Sequence, residues 1–207
     1  MNAPTTGETP SADWPAPNDR PQRTARQAEV VTALATVLPA HALLWQREDT
    51  VPYECDGLTA YREQPLAVAL PESDGQVAAV LQVCQRLQVP VVARGAGTGL
   101  SGGAMPHSLG VTLSLAKFNK ILEIDPLART ARVQCGVRNL AISEAAAAHG
   151  LYYAPDPSSQ IACTIGGNVA ENSGGVHCLK YGLTLHNVLQ VRGYTAQGEP
   201  LTLGSLA

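Results

Sequence analysis

The sequence has no uninterrupted apolar stretch that approaches the length of a membrane-spanning helix, so we predict no transmembrane segment. Its first ten residues contain no Lys, no Arg and no apolar run, and therefore do not resemble a secretory signal. Charged residues make up only 15% of the chain and hydrophobic residues 45%, which predicts a compact globular protein. The formal net charge of −3 offers no overall basic surface to nucleic acid.

Cysteine usage indicates an intracellular protein without a metal centre. The five cysteines are an odd number and include no Cys-x-x-Cys pair. Without an export signal, we expect reduced thiols in a cytoplasmic protein. Their spacing fits neither a zinc nor an iron–sulfur site, and no two histidines have ligand spacing, so we assign no metal site.

Apolar periodicity predicts alternating helices and strands in the first half of the chain. Residues 1–22 hold five prolines and no periodic apolar pattern, and predict a disordered N-terminal arm. Helical spacing extends from Thr24 to Leu38, before Pro39. The next segments form a predicted strand–helix–strand unit with parallel strands: a strand at Leu66–Leu70, a helix that starts at Ser73 with Gln76 completing a capping box, and a strand at Pro90–Ala93.

The second half continues as a mixture of both element types, without a repeat period. We expect an α+β domain of two lobes, the first at about residues 23–125 and the second at about 126–207. The predicted elements are strands at Val111–Leu115, Ile121–Asp125 and Thr130–Gln134, a helix at Val137–His149 closed by Gly150, a loop at Pro155–Gln160, a brief helix within Thr164–Gly182, and a hairpin from His186 to Leu203 that turns at Gln197–Gly198.

A glycine-rich loop follows the second predicted strand, and its letters GTGLSG (Gly97–Gly102) match the pattern of a Rossmann dinucleotide site. Such a site needs a helix that begins inside the motif. Here the loop leads instead into a strand-like run, so we do not predict an NAD site. Glu123 and Asp125 lie near the distance of a ribose-binding acid, but they fall in or beside a strand.

A phosphate cradle does not require a helix, because consecutive backbone N–H groups in a loop can form a concave anion site. Thr98 and Ser101 add hydroxyl donors, and Arg94 either approaches a diphosphate or pairs structurally with an acid. The alternative is a surface turn without a ligand. Five glycines permit unusual backbone angles in this loop, at positions Gly95, Gly97, Gly99, Gly102 and Gly103.

Four long motifs resemble those of the glycolate oxidase family, within the FAD-linked oxidases that share the vanillyl-alcohol oxidase / p-cresol methylhydroxylase fold. The similarity extends from about Val30 to the last residue. The motifs are PYECDGL (52–58), RGAGTGLSGGA (94–104), ARVQCGVRNLAIS (131–143) and PDPSSQIACTIGGNVAENSGGVHCLKYGL (155–183).

The resemblance implies a two-lobed FAD-binding domain with two cofactor-binding segments. The first would hold the FAD diphosphate and comprises Arg94, Gly95, Ala96, Gly97, Thr98, Gly99, Leu100, Ser101, Gly102 and Gly103. The second would border the flavin and its ribityl chain and comprises Pro155, Asp156, Ser158, Ser159, Ile165, Gly166, Gly167, Asn168, Asn172, Gly174 and Gly175. Small residues allow a flat ring to pack on backbone, and Asn amides can meet its polar edge.

Some relatives attach flavin covalently through a histidine in the first loop. Thr98 stands at the corresponding place and has no ring nitrogen, so we expect non-covalent FAD. His177, Lys180 and Tyr181 lie beside the second segment, where a cation either stabilises reduced flavin or is simply solvated. No catalytic residue is assigned.

The family's substrate domain would lie beyond residue 207, so we expect a C-terminally incomplete protein that binds FAD but does not turn over substrate alone. The complete relative implied by the resemblance oxidises a 2-hydroxy acid such as glycolate or D-lactate. Electrons would pass to flavin and iron–sulfur partner subunits or to a quinone, which would make the cytoplasmic protein peripheral to the inner membrane. The alternatives are another D-2-hydroxy-acid dehydrogenase, a non-catalytic flavin-carrying electron-transfer subunit, and an interaction module without cofactor.

Overall fold

The computed structural model describes residues 20–205 of the chain. Most of the predicted N-terminal arm therefore lies outside the described residues, while residues 20–22 belong to the first helix. The helices are α1 (Arg20–Leu34), α2 (Arg47–Thr50), α3 (Asp74–Arg86), α4 (Asn139–Ala146), α5 (Ile165–Glu171) and α6 (Cys178–Tyr181). The strands are β1 (Leu43–Leu44), β2 (Ala67–Ala69), β3 (Val91–Arg94), β4 (Val111–Ser114), β5 (Ile121–Asp125), β6 (Thr130–Val133), β7 (Gln190–Tyr194) and β8 (Pro200–Gly204).

A four-stranded sheet in the order β1-β2-β4-β3 forms the centre of the first half. Strands β2 and β3 both run parallel to β4, and Val111 pairs with Ala67 on one side and Val91 on the other. The predicted strand–helix–strand unit is confirmed, with β4 inserted between its two strands. Every residue of β2 and β4 is buried, as expected for parallel strands that are covered on both faces.

Helix α3 begins as the sequence predicts, with one change in its cap. The hydroxyl of Ser73 accepts a hydrogen bond from the Gln76 backbone N–H at 3.3 Å. The Gln76 side chain, however, accepts from the N–H of Glu72 at 2.7 Å, one residue earlier than in a standard capping box. Val80 and Cys84 on this helix are almost fully buried in the same core as Val30 of α1.

The predicted bounds of two other helices are wrong. Helix α1 ends at Leu34 rather than Leu38, because Thr36 and Val37 donate to the carbonyls three residues before them, and Pro39 follows. Helix α4 covers only Asn139–Ala146 of the predicted Val137–His149 and continues as a single 3₁₀ turn. Gly150 closes it with φ +68°, as predicted.

Two hairpins complete the described chain. The β5–β6 pair contains the predicted boundary between lobes, which falls just after Asp125. The β7–β8 pair confirms the predicted hairpin, with Gly198 at φ +78° in its turn. Its first strand starts at Gln190, because Thr184–Asn187 form a 3₁₀ turn.

Candidate functional site

The first glycine-rich loop leaves the carboxyl end of β3 and contains no helix, so the expected absence of a Rossmann helix start is confirmed for this segment. Within residues 20–205, no backbone N–H from Gly95 to Ala104 donates to a protein acceptor. Gly97 and Gly102 adopt φ +70° and +77°, which turn successive amides. The loop thus presents a row of unengaged N–H donors, the arrangement that binds anions.

Several glycines in this loop lie directly against other parts of the protein. A side chain at Gly95 would meet the Thr164 hydroxyl, and one at Gly97 would meet the Arg94 guanidinium. Ideal Cβ positions at Gly99 and Gly103 lie 3.1 and 3.0 Å from Oε1 of Glu171. Their missing side chains therefore allow the loop to pack closely on helix α5 and on Arg94.

Arg94 is buried and links the end of the first glycine-rich loop to the segment that contains Cys55. Its Nη1 donates to the carbonyl of Cys55 at 2.9 Å and to that of Ala104 at 3.2 Å. Its guanidinium carbon lies 5.7 Å from the centre of the Tyr53 ring. The described partners are thus carbonyls and an aromatic ring, rather than the acid that one sequence-based alternative proposed.

The segment around Asp56 lies under the same loop, although the sequence did not mark it as part of a site. An ideal Cβ at Gly57 would lie 2.8 Å from the carbonyl oxygens of Thr98 and Gly99. Asp56 is buried, and its Oδ1 accepts from the Leu58 N–H at 2.9 Å. Its Oδ2 has no hydrogen-bond partner among the described residues.

The second glycine-rich segment forms helix α5 and meets the first loop at the start of that helix. The N–H groups of Ile165 and Gly166 donate to the carbonyls of Val137 and Cys135 at 2.9 and 2.8 Å. This docking brings the Gly167 nitrogen to 3.8 Å from an ideal Cβ at Gly95. The fold therefore joins two predicted cofactor segments that are about seventy residues apart in the chain.

Asn168 is buried and engaged within the protein. Its Nδ2 donates to Oδ1 of Asn139 at 2.9 Å, and Asn139 Nδ2 donates to the Pro155 carbonyl at 3.0 Å. Asn139 is fully buried and was not identified from the sequence, although it lies in one of the motifs that carry the resemblance. This chain of amides fixes the 155–159 loop, helix α4 and helix α5 relative to one another.

Asp156 attaches that loop to the segment after α5. Its Oδ2 lies 2.6 Å from Nδ1 of His177, and its Oδ1 accepts from the His177 N–H at 3.2 Å. The hydrogen bond from the His177 side chain lowers the pKa of Asp156 below its ordinary value. Gly175 packs directly on the Asp156 carbonyl.

The remaining predicted residues are distributed around this attachment. Asn172 caps α5 with φ +50°, and its Oδ1 accepts from the Leu185 N–H at 3.0 Å. Ser158 is exposed, whereas Ser159 accepts through its carbonyl from Ala162 and Cys163. Gly174 lies against the Leu183 side chain.

A small aromatic cluster borders the second segment. The rings of Tyr152 and Tyr181 meet edge to face, with centroids 6.2 Å apart, and Lys180 Nζ lies 4.9 Å from the Tyr181 centroid. The hydrogen bond with Tyr152 and the ammonium group of Lys180 lower the pKa of Tyr181. Within the described part of the chain, no group of three His, Cys, Asp or Glu side chains has metal-site geometry, and no helix is long and apolar enough to cross a membrane.

Comparison with known families decides which kind of domain carries these two segments. A family model described as an FAD binding domain matches residues 65–204, about two thirds of the chain and both glycine-rich segments. The chain belongs to this FAD-binding family. The predicted cofactor, FAD, and the predicted α+β fold of the vanillyl-alcohol oxidase / p-cresol methylhydroxylase type are thereby confirmed.

Individual members of the family show how far the similarity extends. Glycolate oxidase subunit GlcD of Escherichia coli (strain K12) is 63% identical over 179 residues, which are 86% of this chain and 36% of that protein. A D-lactate dehydrogenase of Archaeoglobus fulgidus is 39% identical over 66% of this chain and 30% of its own length. The chain therefore spans about a third of the length of these relatives.

Among solved structures, an alkyldihydroxyacetonephosphate synthase matches with a TM-score of 0.76 at 23% identity, over 87% of this chain and 35% of that one. This likeness shows the fold. The loop from Gly95 to Ala104 fits the FAD diphosphate, because its N–H donors lack protein acceptors.

Proposed function

We propose that this chain binds FAD non-covalently through its two glycine-rich segments and forms the flavin-binding part of a 2-hydroxy-acid dehydrogenase. The observation that carries the proposal is the row of backbone N–H groups from Gly95 to Ala104 without protein acceptors. Every residue of this loop is partly or fully exposed, so these amides are open to a ligand, and a diphosphate supplies acceptors for several of them. The loop shape needs Gly97 and Gly102, whose φ values few other residues adopt.

The second segment supports a flat ring next to that anion site. Gly166 packs on Cys135, whereas an ideal Cβ at Gly167 would meet only the Thr164 hydroxyl, at 3.4 Å, at the point where α5 meets the first loop. The amides of Asn139 and Asn168 hold this surface rigid, because both are buried and hydrogen-bonded. A rigid, preorganised surface lowers the entropy lost on cofactor binding.

The substrate class follows from what the relatives are called. The relatives include glycolate oxidase subunits and D-lactate dehydrogenases, so we assign glycolate or D-lactate to the whole protein. FAD, when bound, supplies the hydride acceptor for this oxidation. The word "subunit" in the GlcD name supports assembly with other subunits. We propose flavin and iron–sulfur subunits as these partners, and we place the complex in the cytoplasm or at the inner membrane surface.

Titration of the purified chain with FAD tests the proposal. Isothermal calorimetry should give a saturable heat, and the isolated complex should keep its visible flavin absorbance after gel filtration. Gly97→Val should abolish both, because φ +70° is a strained conformation for valine and its side chain would meet Arg94. Gly193→Ala is the control, since no atom lies within 4 Å of its ideal Cβ.

Folded wild-type protein that gives neither heat nor colour with excess FAD would refute cofactor binding. Acid precipitation separates the attachment modes: the flavin should stay in the supernatant, and a yellow pellet would contradict non-covalent binding. Anaerobic addition of glycolate or D-lactate to the full-length protein should bleach its flavin. No bleaching would favour a non-catalytic electron-transfer subunit.

A further inference from the structure

Glu171, the last residue of α5, places its carboxylate on the first glycine-rich loop. Its Oε1 is the nearest atom to an ideal Cβ at both Gly99 and Gly103, at 3.1 and 3.0 Å. With glycine at these two loop positions, the carboxylate keeps its place without a close contact to a side chain of the loop. A side chain from the second segment thus contacts the segment that presents unengaged N–H groups.

The surroundings of this carboxylate leave its negative charge uncompensated. Among residues 20–205, the Glu171 side chain has neither an ion pair nor a hydrogen bond, and the residue is exposed. The one guanidinium inside the loop, that of Arg94, is buried and directed at two carbonyls. The N–H row therefore already has one anion beside it before any ligand arrives.

We propose that Glu171 weakens FAD binding by repelling the diphosphate, so that the cofactor stays exchangeable. The inference rests on the proposed function, in which the N–H groups of this loop hold that diphosphate. Two like charges close to the same set of amides compete for their partial positive charge. Because no hydrogen bond ties the Glu171 side chain to the loop, it can swing away when the diphosphate enters.

The opposite role for Glu171 is also chemically reasonable and predicts the opposite sign. A carboxylate that accepted a hydrogen bond from a ribose hydroxyl of FAD would strengthen binding. Glu171→Gln distinguishes the two roles, because it keeps the shape of the side chain and removes its charge. FAD affinity should rise about three- to tenfold in low salt, the size expected for two solvent-exposed charges a few ångströms apart.

Salt dependence supplies a second readout of the same interaction. Raising the salt from about 0.02 M to about 0.5 M should reduce the difference in FAD affinity between Glu171→Gln and wild type, because ions screen exposed charges. Glu199→Gln is the matched control: it removes one exposed carboxylate in the β7–β8 turn and should leave FAD affinity unchanged. Circular dichroism and thermal midpoints verify that the variants are folded, and Glu171→Ala repeats the test with a shorter side chain.

Each outcome decides the proposal. The proposal is supported if both Glu171 variants bind FAD more tightly than wild type and if this difference in affinity disappears at high salt. Weaker or unchanged binding by Glu171→Gln overturns it while leaving FAD binding intact. Folded wild-type and variant proteins that all fail to bind FAD overturn the proposed function itself, and the role of Glu171 with it.

Discussion

Asp156 holds His177 through two hydrogen bonds, one from the ring Nδ1 at 2.6 Å and one from the backbone N–H at 3.2 Å. The two residues are separated by the whole of helix α5. Their contact closes the second glycine-rich segment on itself, since Gly175 packs on the Asp156 carbonyl within the same loop. Asp156 therefore positions this segment through His177, whatever contact it also makes with a cofactor.

Stability at low pH should report this contact. His177 lowers the pKa of Asp156 below its ordinary value of 3.8, so the carboxylate stabilises the fold above that pH. The stabilisation is lost as the pH falls through the folded-state pKa. Thermal midpoints of wild type and Asp156→Asn should differ at neutral pH and converge in strong acid. Asp49→Asn, on exposed α2, should not change the pH profile.

A double-mutant cycle tests whether the stabilisation by Asp156 depends on the imidazole ring of His177. His177→Ala should lower stability in wild type and have little further effect in Asp156→Asn. Additive losses in the double variant would show that the two side chains act independently.

Adding one methyl group at two different glycines should have opposite effects. Gly175→Ala forces a Cβ into the Asp156 carbonyl, and we expect a loss of about 1–3 kcal/mol in the free energy of unfolding. Gly75→Ala lies near the start of α3 with nothing within 4 Å of the new methyl group. Better helix propensity should stabilise this variant by up to about 1 kcal/mol. Urea denaturation of the two variants and wild type measures both changes, and equal losses would contradict the packing described for Gly175.

The buried amide chain should contribute measurably to stability. Asn139→Ala removes the acceptor for Asn168 and the donor to Pro155, leaving buried polar groups without partners. We expect a cost of about 1–3 kcal/mol in urea denaturation, together with weaker FAD binding as helix α5 loosens. Asn119→Ala, at an exposed position, should stay within about 0.5 kcal/mol of wild type. An Asn139→Ala variant with the stability and FAD affinity of wild type would show that the chain of amides does not fix the site.

Arg94→Lys separates a structural role from an electrostatic one. Lysine keeps the positive charge but lacks the planar fork that reaches the carbonyls of Cys55 and Ala104. The cofactor-free variant should already melt at a lower temperature than wild type, because the link between the Cys55 and Ala104 carbonyls is lost. An unchanged melting temperature with weaker FAD binding would instead indicate that Arg94 acts on the diphosphate. Arg132→Lys, on the exposed strand β6, is the control.

Local sequence patterns determined most of the secondary structure and the location of the candidate site. Ser73 and Gln76 marked the start of α3, and Gly150 marked the end of the 3₁₀ turn that follows α4. Apolar runs marked β2 and β4. These features are predictable because caps and apolar spacing act within a few residues. The glycine pattern also located the first loop. The end of α1 was missed, since tight turns on the Leu34 carbonyl preserve helical apolar spacing as far as Leu38.

Only the tertiary structure decided which side chains act together. The contacts of Glu171 with the first loop, of Arg94 with Cys55, and of Asn168 with Asn139 join residues that are distant in sequence. No local pattern encodes such contacts, because they depend on how strands pair and helices dock. The sequence identified the two glycine-rich segments by composition, and the packing of α5 on the first glycine-rich loop brought them together.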